Sequence, residues 1–267
     1  MSRLKIRFSE LKERNQKALV TFVTAGDPDL SGTERIIHAL EAAGADVIEL
    51  GVPFSDPMAD GPTIQRASER ALKHGVSLRD VLGMVVEFRK KDTATPVVLM
   101  GYANPIEAMG YEPFAAAAAA AGVDGVLTVD YPPEESAAFV AHLGRHGIDP
   151  IFLLSPTTPE ARMAQVGKLA HGFIYYVSLK GVTGSATLDI VEVARKIPQI
   201  RAAVSLPVGI GFGIRDGQAA RTMSQIADAV VIGSRIVEEI ENSTAESLLD
   251  NVYNLVKGFR DAMDGKE

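Results

Sequence analysis

Eight short apolar runs, at 18–23, 47–50, 97–100, 125–129, 151–154, 173–177, 208–210 and 229–232, constrain this chain more than any other feature of it. None alternates polar with apolar. Continuous runs of this length suit strands of a parallel sheet covered on both faces. Between them lie segments with apolar residues at helical spacing, among them 30–43, 78–90, 134–146, 159–169 and 218–227. Strand alternating with helix marks an α/β fold, and eight strands predict a closed (β/α)8 (TIM) barrel with an N-terminal helix. The alternative is an open doubly wound sheet, whose dinucleotide-binding form needs G-x-G-x-x-G after the first strand. Residues 24–27 read Thr-Ala-Gly-Asp there, with a single glycine. The long stretch between the second and third runs leaves room for an extra loop and helix at the mouth of the barrel. No Pro/Ser-rich linker divides the chain, so residues 1–267 are read as a single domain. The alanine run 115–121 reads as a helix stopped by Gly122. Gly44, Gly122 and Gly147 each stand two residues before an Asp and just ahead of a strand, where glycine closes a helix in the left-handed conformation.

Composition removes whole classes of function. Lys and Arg number 27 against 34 Asp and Glu, a net charge of −7, which offers no basic footprint for nucleic acid. There is no Cys, so disulfides, thiolate metal sites, iron–sulfur clusters and Cys nucleophiles are excluded. Residues 1–17 intersperse Arg3, Lys5, Arg7, Glu10, Lys12, Glu13 and Arg14 among the apolar ones, unlike the apolar core of a signal peptide. No run approaches the roughly 18 residues of a membrane span. A soluble, cytoplasmic protein is expected, with neither nucleic acid nor membrane as partner.

In a barrel the chemistry sits at the C-terminal ends of the strands. The residues there are Gly26 and Asp27; Glu49, Asp56 and Asp60; Tyr102 and Asn104; Asp130; Ser155, Thr157 and Thr158; Gly181, Thr183 and Gly184; Gly211 and Gly213; Gly233 and Ser234. Glu49 is the most telling, a carboxylate inside an apolar strand, where it is costly unless paired or functional. Alternation puts Ile48 and Leu50 on one face and Val47 and Glu49 on the other. Desolvation at the barrel mouth would raise its pKa until it can both accept and give a proton near neutrality. The loop that follows holds Pro53, Pro57 and Pro62 with Gly51 and Gly61, which predicts a stiff, non-helical segment presenting Asp56 and Asp60 above Glu49. All five His lie off the rim. His142 and His146 are four apart, a spacing that suits a metal pair, but without Cys or a nearby acidic partner a solvated helix face is expected.

Glycines after the seventh and eighth runs suggest an anion. Gly211 and Gly213 follow one, Gly233 and Ser234 the other, and these two loops form the usual phosphate site of such barrels. Arg235 adds positive charge there. The small-residue segment 181–187 has the composition of a mobile lid.

With these residues in hand, the chain closely resembles the tryptophan synthase alpha subunit family over essentially its whole length. The specific motifs are ELGVPFSDPMADGPTIQ at 49–65, GVTG at 181–184 and GFG at 211–213. The resemblance implies a (β/α)8 barrel that cleaves indole-3-glycerol phosphate to indole and glyceraldehyde 3-phosphate without metal or cofactor. It also implies a partner beta subunit, in an alpha2beta2 heterotetramer, which holds pyridoxal phosphate and consumes the indole. By the same resemblance Glu49 and Asp60 are catalytic, Tyr175 touches substrate, Phe22, Met100, Leu127 and Phe212 wall the indole, and Thr183 caps Asp60 when the lid closes. Gly184, Gly213, Gly233 and Ser234 would hold the phosphate. Rim loops at 53–56, 102–105 and 130–133, with their Pro and aromatic residues, would expose the docking surface for the partner. Two positions depart from the family pattern: Leu179-Lys180 stands where some members carry Arg, and Arg235 where a small residue is frequent. Rival readings are a Schiff-base phosphosugar aldolase acting through Lys180 and a non-catalytic regulatory barrel.

Overall fold

The computed structural model describes residues 2–177, 190–211 and 213–266. Its elements begin with α1 (Arg3–Glu13), β1 (Ala18–Thr24), α2 (Leu30–Ala42), β2 (Val47–Gly51), α3 (Pro62–Lys73), α4 (Leu78–Arg89) and β3 (Val97–Gly101). They continue with α5 (Ala103–Met109), α6 (Tyr111–Ala121), β4 (Gly125–Thr128), α7 (Ala137–Arg145), β5 (Asp149–Leu154), α8 (Glu160–Leu169) and β6 (Ile174–Val177). The last are α9 (Ile190–Ala203), β7 (Val208–Gly211), α10 (Gly217–Ser224), β8 (Ala229–Ile232), α11 (Ser234–Asn242) and α12 (Leu248–Met263). The strands form one closed parallel barrel in chain order. Closure is carried by β8 against β1, with Ala18 opposite Ala229 and Thr21 opposite Ile232, which excludes the open sheet.

Every apolar run is a strand, with small shifts at the ends. Asp149 pairs with Gly125 and so extends β5 backwards. The helix expected over 134–146 begins only at Ala137, because Pro132 and Pro133 lead into a turn. Pro62 is not a breaker but the first residue of α3, where its missing N–H is unneeded and its φ is already helical. The long interval between β2 and β3 holds two helices, α3 and α4, and the next one holds α5 and α6.

Alternation along the strands divides the core into two layers. Leu19, Ile48, Leu50 and Leu99 face outward beneath the helices. Ala18, Val20, Val47, Val98, Leu127, Ile151, Phe173 and Val231 fill the interior, and Leu4, Phe8 and Leu11 of α1 join them from below. Helix α1 therefore stoppers the base of the barrel, with the Phe8 and Phe173 rings 5.7 Å apart.

Aspartates just ahead of β2, β4 and β8 tie the base together. Asp46 accepts the N–H of Leu19 at 2.9 Å, Asp124 that of Val97 at 2.8 Å and Asp228 that of Val208 at 3.0 Å. Arg7 and Arg260 pair with Asp46, Arg3 and Arg89 with Asp124, and Arg201 with Asp228. The glycine echo belongs to this end. Gly122 closes α6 at φ +90°, and a Cβ there would press into the Arg89 side chain at 2.9 Å. Arg89 uses the space to bond the Gly122 carbonyl at 3.0 Å on its way to Asp124.

Candidate active site

A cavity of about 820 Å³ opens at the C-terminal ends of the strands. Phe22, Glu49, Met100, Leu153, Tyr175 and Val231 line it from the barrel interior, Asp60 and Ile64 from one side, and Gly213, Gly233 and Ser234 from another.

Glu49 is where strand alternation puts it, pointing inward one pleat above Val47 while Ile48 and Leu50 pack outward. It is 1% exposed, and neither carboxylate oxygen has a hydrogen-bond partner among the described residues. Loss of hydration, and then the negative charge of Asp60, push its pKa up to about 8.

Asp60 ends the stiff loop and is held from three directions. Its N–H bonds the Pro57 carbonyl at 3.0 Å, and its own carbonyl accepts from Gln65 Nε2 at 2.9 Å. The Tyr102 hydroxyl donates to Oδ2 at 3.0 Å while accepting the Ala59 N–H at 3.0 Å. Burial raises the Asp60 pKa, and the Tyr102 bond works against that rise. Asp56, expected beside Asp60 over Glu49, is instead exposed and bonded to its neighbour Ser55 at 2.6 Å. The loop turns between the two, so only Asp60 reaches the cavity.

Tyr175 projects inward from β6, and its hydroxyl proton is held more tightly than usual by burial and by the charges of Glu49 and Asp60. A Cβ on Gly211 would collide with its hydroxyl. Gly211, the last residue of β7, therefore makes room for Tyr175. Gly213 lies two residues on at φ +74°. Gly233 precedes α11 and Ser234 is its first residue, so the end of the helix whose first N–H groups have no partner within the helix lines the cavity. Arg215 and Arg235 line the same wall, paired with Glu238 at 2.6 Å and Glu239 at 2.7 Å.

Other expected positions fall differently. Leu127 does not line the cavity: it is fully buried in the interior layer one pleat below Val129, which does. Thr183, Gly184 and Phe212, with Leu179 and Lys180, lie outside the described residues. Tyr102 and Pro53, read as exposed docking residues, are buried. Tyr102 stacks on Phe54 with ring centroids 5.1 Å apart, and the exposed apolar residue of that loop is Met58, at 80%. The grip of Tyr102 on Asp60 had no sequence signal beyond its place after β3, beside β2. His142 and His146 do have an acidic partner, which sequence distance concealed. Glu112 of α6 contacts them at 2.7 and 2.8 Å, and these bonds with Arg145 hold its pKa down to about 2. Among the described residues no group of three His, Asp or Glu is arranged to hold a metal, and no helix is long and apolar enough to cross a membrane.

Known proteins resemble this chain over nearly its whole length. The family profile of the tryptophan synthase alpha chain matches residues 8–264. The tryptophan synthase alpha chain of Nitrosomonas europaea is 62% identical over 266 residues, covering 100% of this chain and 97% of that one. That of Azoarcus sp. is 63% identical over 264 residues, with 99% and 97% covered. Among solved structures, tryptophan synthase subunit alpha of Legionella pneumophila superposes with a TM-score of 0.93 at 42% identity, covering 99% of both chains. A structure of Mycobacterium tuberculosis tryptophan synthase gives 0.89 at 34% identity, with 98% of both chains covered. With a matching profile over nearly all its length and relatives above 60% identity, this chain belongs to the tryptophan synthase alpha chain family.

Proposed function

We propose that Glu49 is the acid–base and Asp60 its electrostatic partner in the reaction of this chain, a lyase that cleaves indole-3-glycerol phosphate to indole and glyceraldehyde 3-phosphate. The bond to be broken joins ring carbon C3 to the hydroxyl-bearing carbon of the side chain. Indole leaves poorly as a carbanion. A proton delivered to C3 turns the ring into an iminium-like cation that accepts the electrons of the breaking bond. The side-chain hydroxyl then loses its proton as the aldehyde forms. One proton enters and one leaves, so a single group that gives the first and takes the second ends as it began. A carboxyl with a pKa near 8 carries its proton at neutrality and is basic enough to regain it. Asp60, ionised, accepts a hydrogen bond from the ring N–H and stabilises the positive charge that grows there.

The observation that carries this reading is the Glu49 carboxyl, 1% exposed and without a hydrogen-bond partner among the described residues, in one cavity with Asp60 and Tyr175. Phe22, Met100 and Leu153 supply apolar walls for the ring. The N–H groups at Gly213, Gly233 and Ser234 take the phosphate. Roles for Thr183, Gly184 and Phe212 rest on the family resemblance. The steps need only proton transfers and charge stabilisation, so we assign no cofactor to this chain. We place the enzyme in the cytoplasm, docked through its mouth loops to a pyridoxal-phosphate-bearing beta subunit in an alpha2beta2 complex. Indole is small, apolar and lost to membranes if released, and the exposed Met58 on the Asp60 loop lies at that mouth.

Indole release by the purified chain tests both parts. Glu49→Gln should cut turnover by at least about 10²-fold with the fold intact; near-normal turnover would remove the assignment. Adding the cognate beta subunit should raise the rate, and no complex at micromolar concentration would remove the partner.

A further inference from the structure

An ion cluster that the chemistry above does not use joins α3 to α11. Arg70 of α3 donates from Nε and Nη2 to the two carboxylate oxygens of Asp27, at 2.7 and 2.8 Å, and from Nη1 to Glu241 of α11 at 2.6 Å. Arg66, one turn earlier, holds the same Glu241 by two bonds of 2.8 and 2.7 Å. Asp27, on the loop after β1, is 1% exposed. Glu241 sits in the last turn of α11, where the helix dipole disfavours an acid, so its presence there depends on the two guanidinium groups.

The other ends of these two helices are the active site. Helix α3 starts at Pro62, directly after Asp60 and Gly61, and α11 starts at Ser234, directly after Gly233. The helices pack together, and Thr63 reaches Glu238 at 3.5 Å. A planar guanidinium bonded through both edges fixes distance and orientation in a way that apolar packing alone does not. The cluster therefore sets where α3 lies relative to α11, and with it where Asp60 lies relative to the phosphate-holding residues.

We propose that Arg70, together with Asp27 and Glu241, is a positioning residue that couples phosphate anchoring at α11 to the acid-bearing loop ahead of α3, so that the phosphate raises turnover as well as affinity. This rests on the phosphate reading given above. Binding energy from a remote part of a substrate increases turnover only when it is spent on orienting the reacting centre, and the cluster is the rigid connection through which that happens.

Replacing Arg70 outright would strand the buried Asp27, so the variant of choice is Glu241→Met, which cuts both arms to α11 and leaves Asp27 paired. On indole-3-glycerol phosphate its kcat should fall about 10-fold or more, while on indolylglycerol lacking the phosphate its turnover should stay within about twofold of the unaltered protein. Arg70→Lys, which keeps the charge but loses the fork, should show the same split more weakly. Equal losses on both substrates, or no loss on either, would overturn the proposal. Ser234→Pro separates this from the phosphate reading. It removes a phosphate-facing N–H at the first position of α11, where proline is tolerated, and should sharply reduce the preference for the phosphorylated substrate. If that preference survives undiminished, the phosphate reading fails, whatever Glu241→Met does.

Discussion

At the base of the barrel Asp46, Asp124 and Asp228 each accept a backbone N–H from the neighbouring strand and pair with at least one arginine. At the mouth Glu49, as deeply buried as any of them, has no such partner among the described residues. The same chemical group is thus built into structure at one end and left reactive at the other. At the base, backbone N–H groups and arginines offset part of the cost of burying a carboxylate, although at Asp46 desolvation still raises the pKa. Desolvation at the mouth raises the energy of the charged form, and the cost is accepted because a carboxyl with a high pKa is what the proton transfers require. The apolar layer of Val20, Val47, Val98 and Leu127 below Glu49 keeps water from that side of it.

The largest effect expected from this contrast is on the pH dependence of stability at the mouth. A native carboxyl with a raised pKa keeps a proton that the unfolded chain has released. The stabilisation it contributes is complete below the unfolded value of 4.5 and is lost as pH rises through about 8. Glu49→Gln does not titrate. In urea unfolding it should therefore gain on the unaltered protein between pH 5 and pH 9, by on the order of 4 kcal/mol. A pH-independent difference would mean that Glu49 is not the desolvated carboxyl described.

The base should respond in the opposite sense. Arg89→Met leaves Asp124 short of a cation and uncaps the Gly122 carbonyl. Stability should drop by about 3 kcal/mol, while turnover per folded molecule at 25 °C stays near that of the unaltered protein. A selective loss of turnover without a loss of stability would erase the division between the two ends.

Tyr102→Phe gives the smallest and most local change. Its hydroxyl favours the ionised form of Asp60, so its removal raises the Asp60 pKa. The acid limb of the kcat/KM–pH profile should move to higher pH, so that the loss relative to the unaltered protein grows to a few-fold as pH falls along that limb and vanishes on the plateau. An unmoved acid limb would show that Asp60 is not the group whose ionisation that limb reports.

Much of this was legible from residue order alone. The eight strands and their alternation with helices follow from apolar runs and helical spacing, which are properties of neighbouring residues. The inward aim of Glu49 follows from the two-residue period of a strand, and the stiffness of the Asp60 loop from its prolines. Backbone sterics and short-range hydrophobic patterning act within a few residues, so the sequence determines them by itself. Tertiary structure decided which residues far apart in the chain meet. It brought Tyr102 to Asp60 across adjacent strands, Glu112 to two histidines across two helices, and Arg70 to Asp27 and Glu241. It set Leu127 one layer below the cavity, and it made Gly211 a space for Tyr175. Those meetings depend on barrel closure and strand register, which are set by the packing of the whole interior and have no local signature in the sequence.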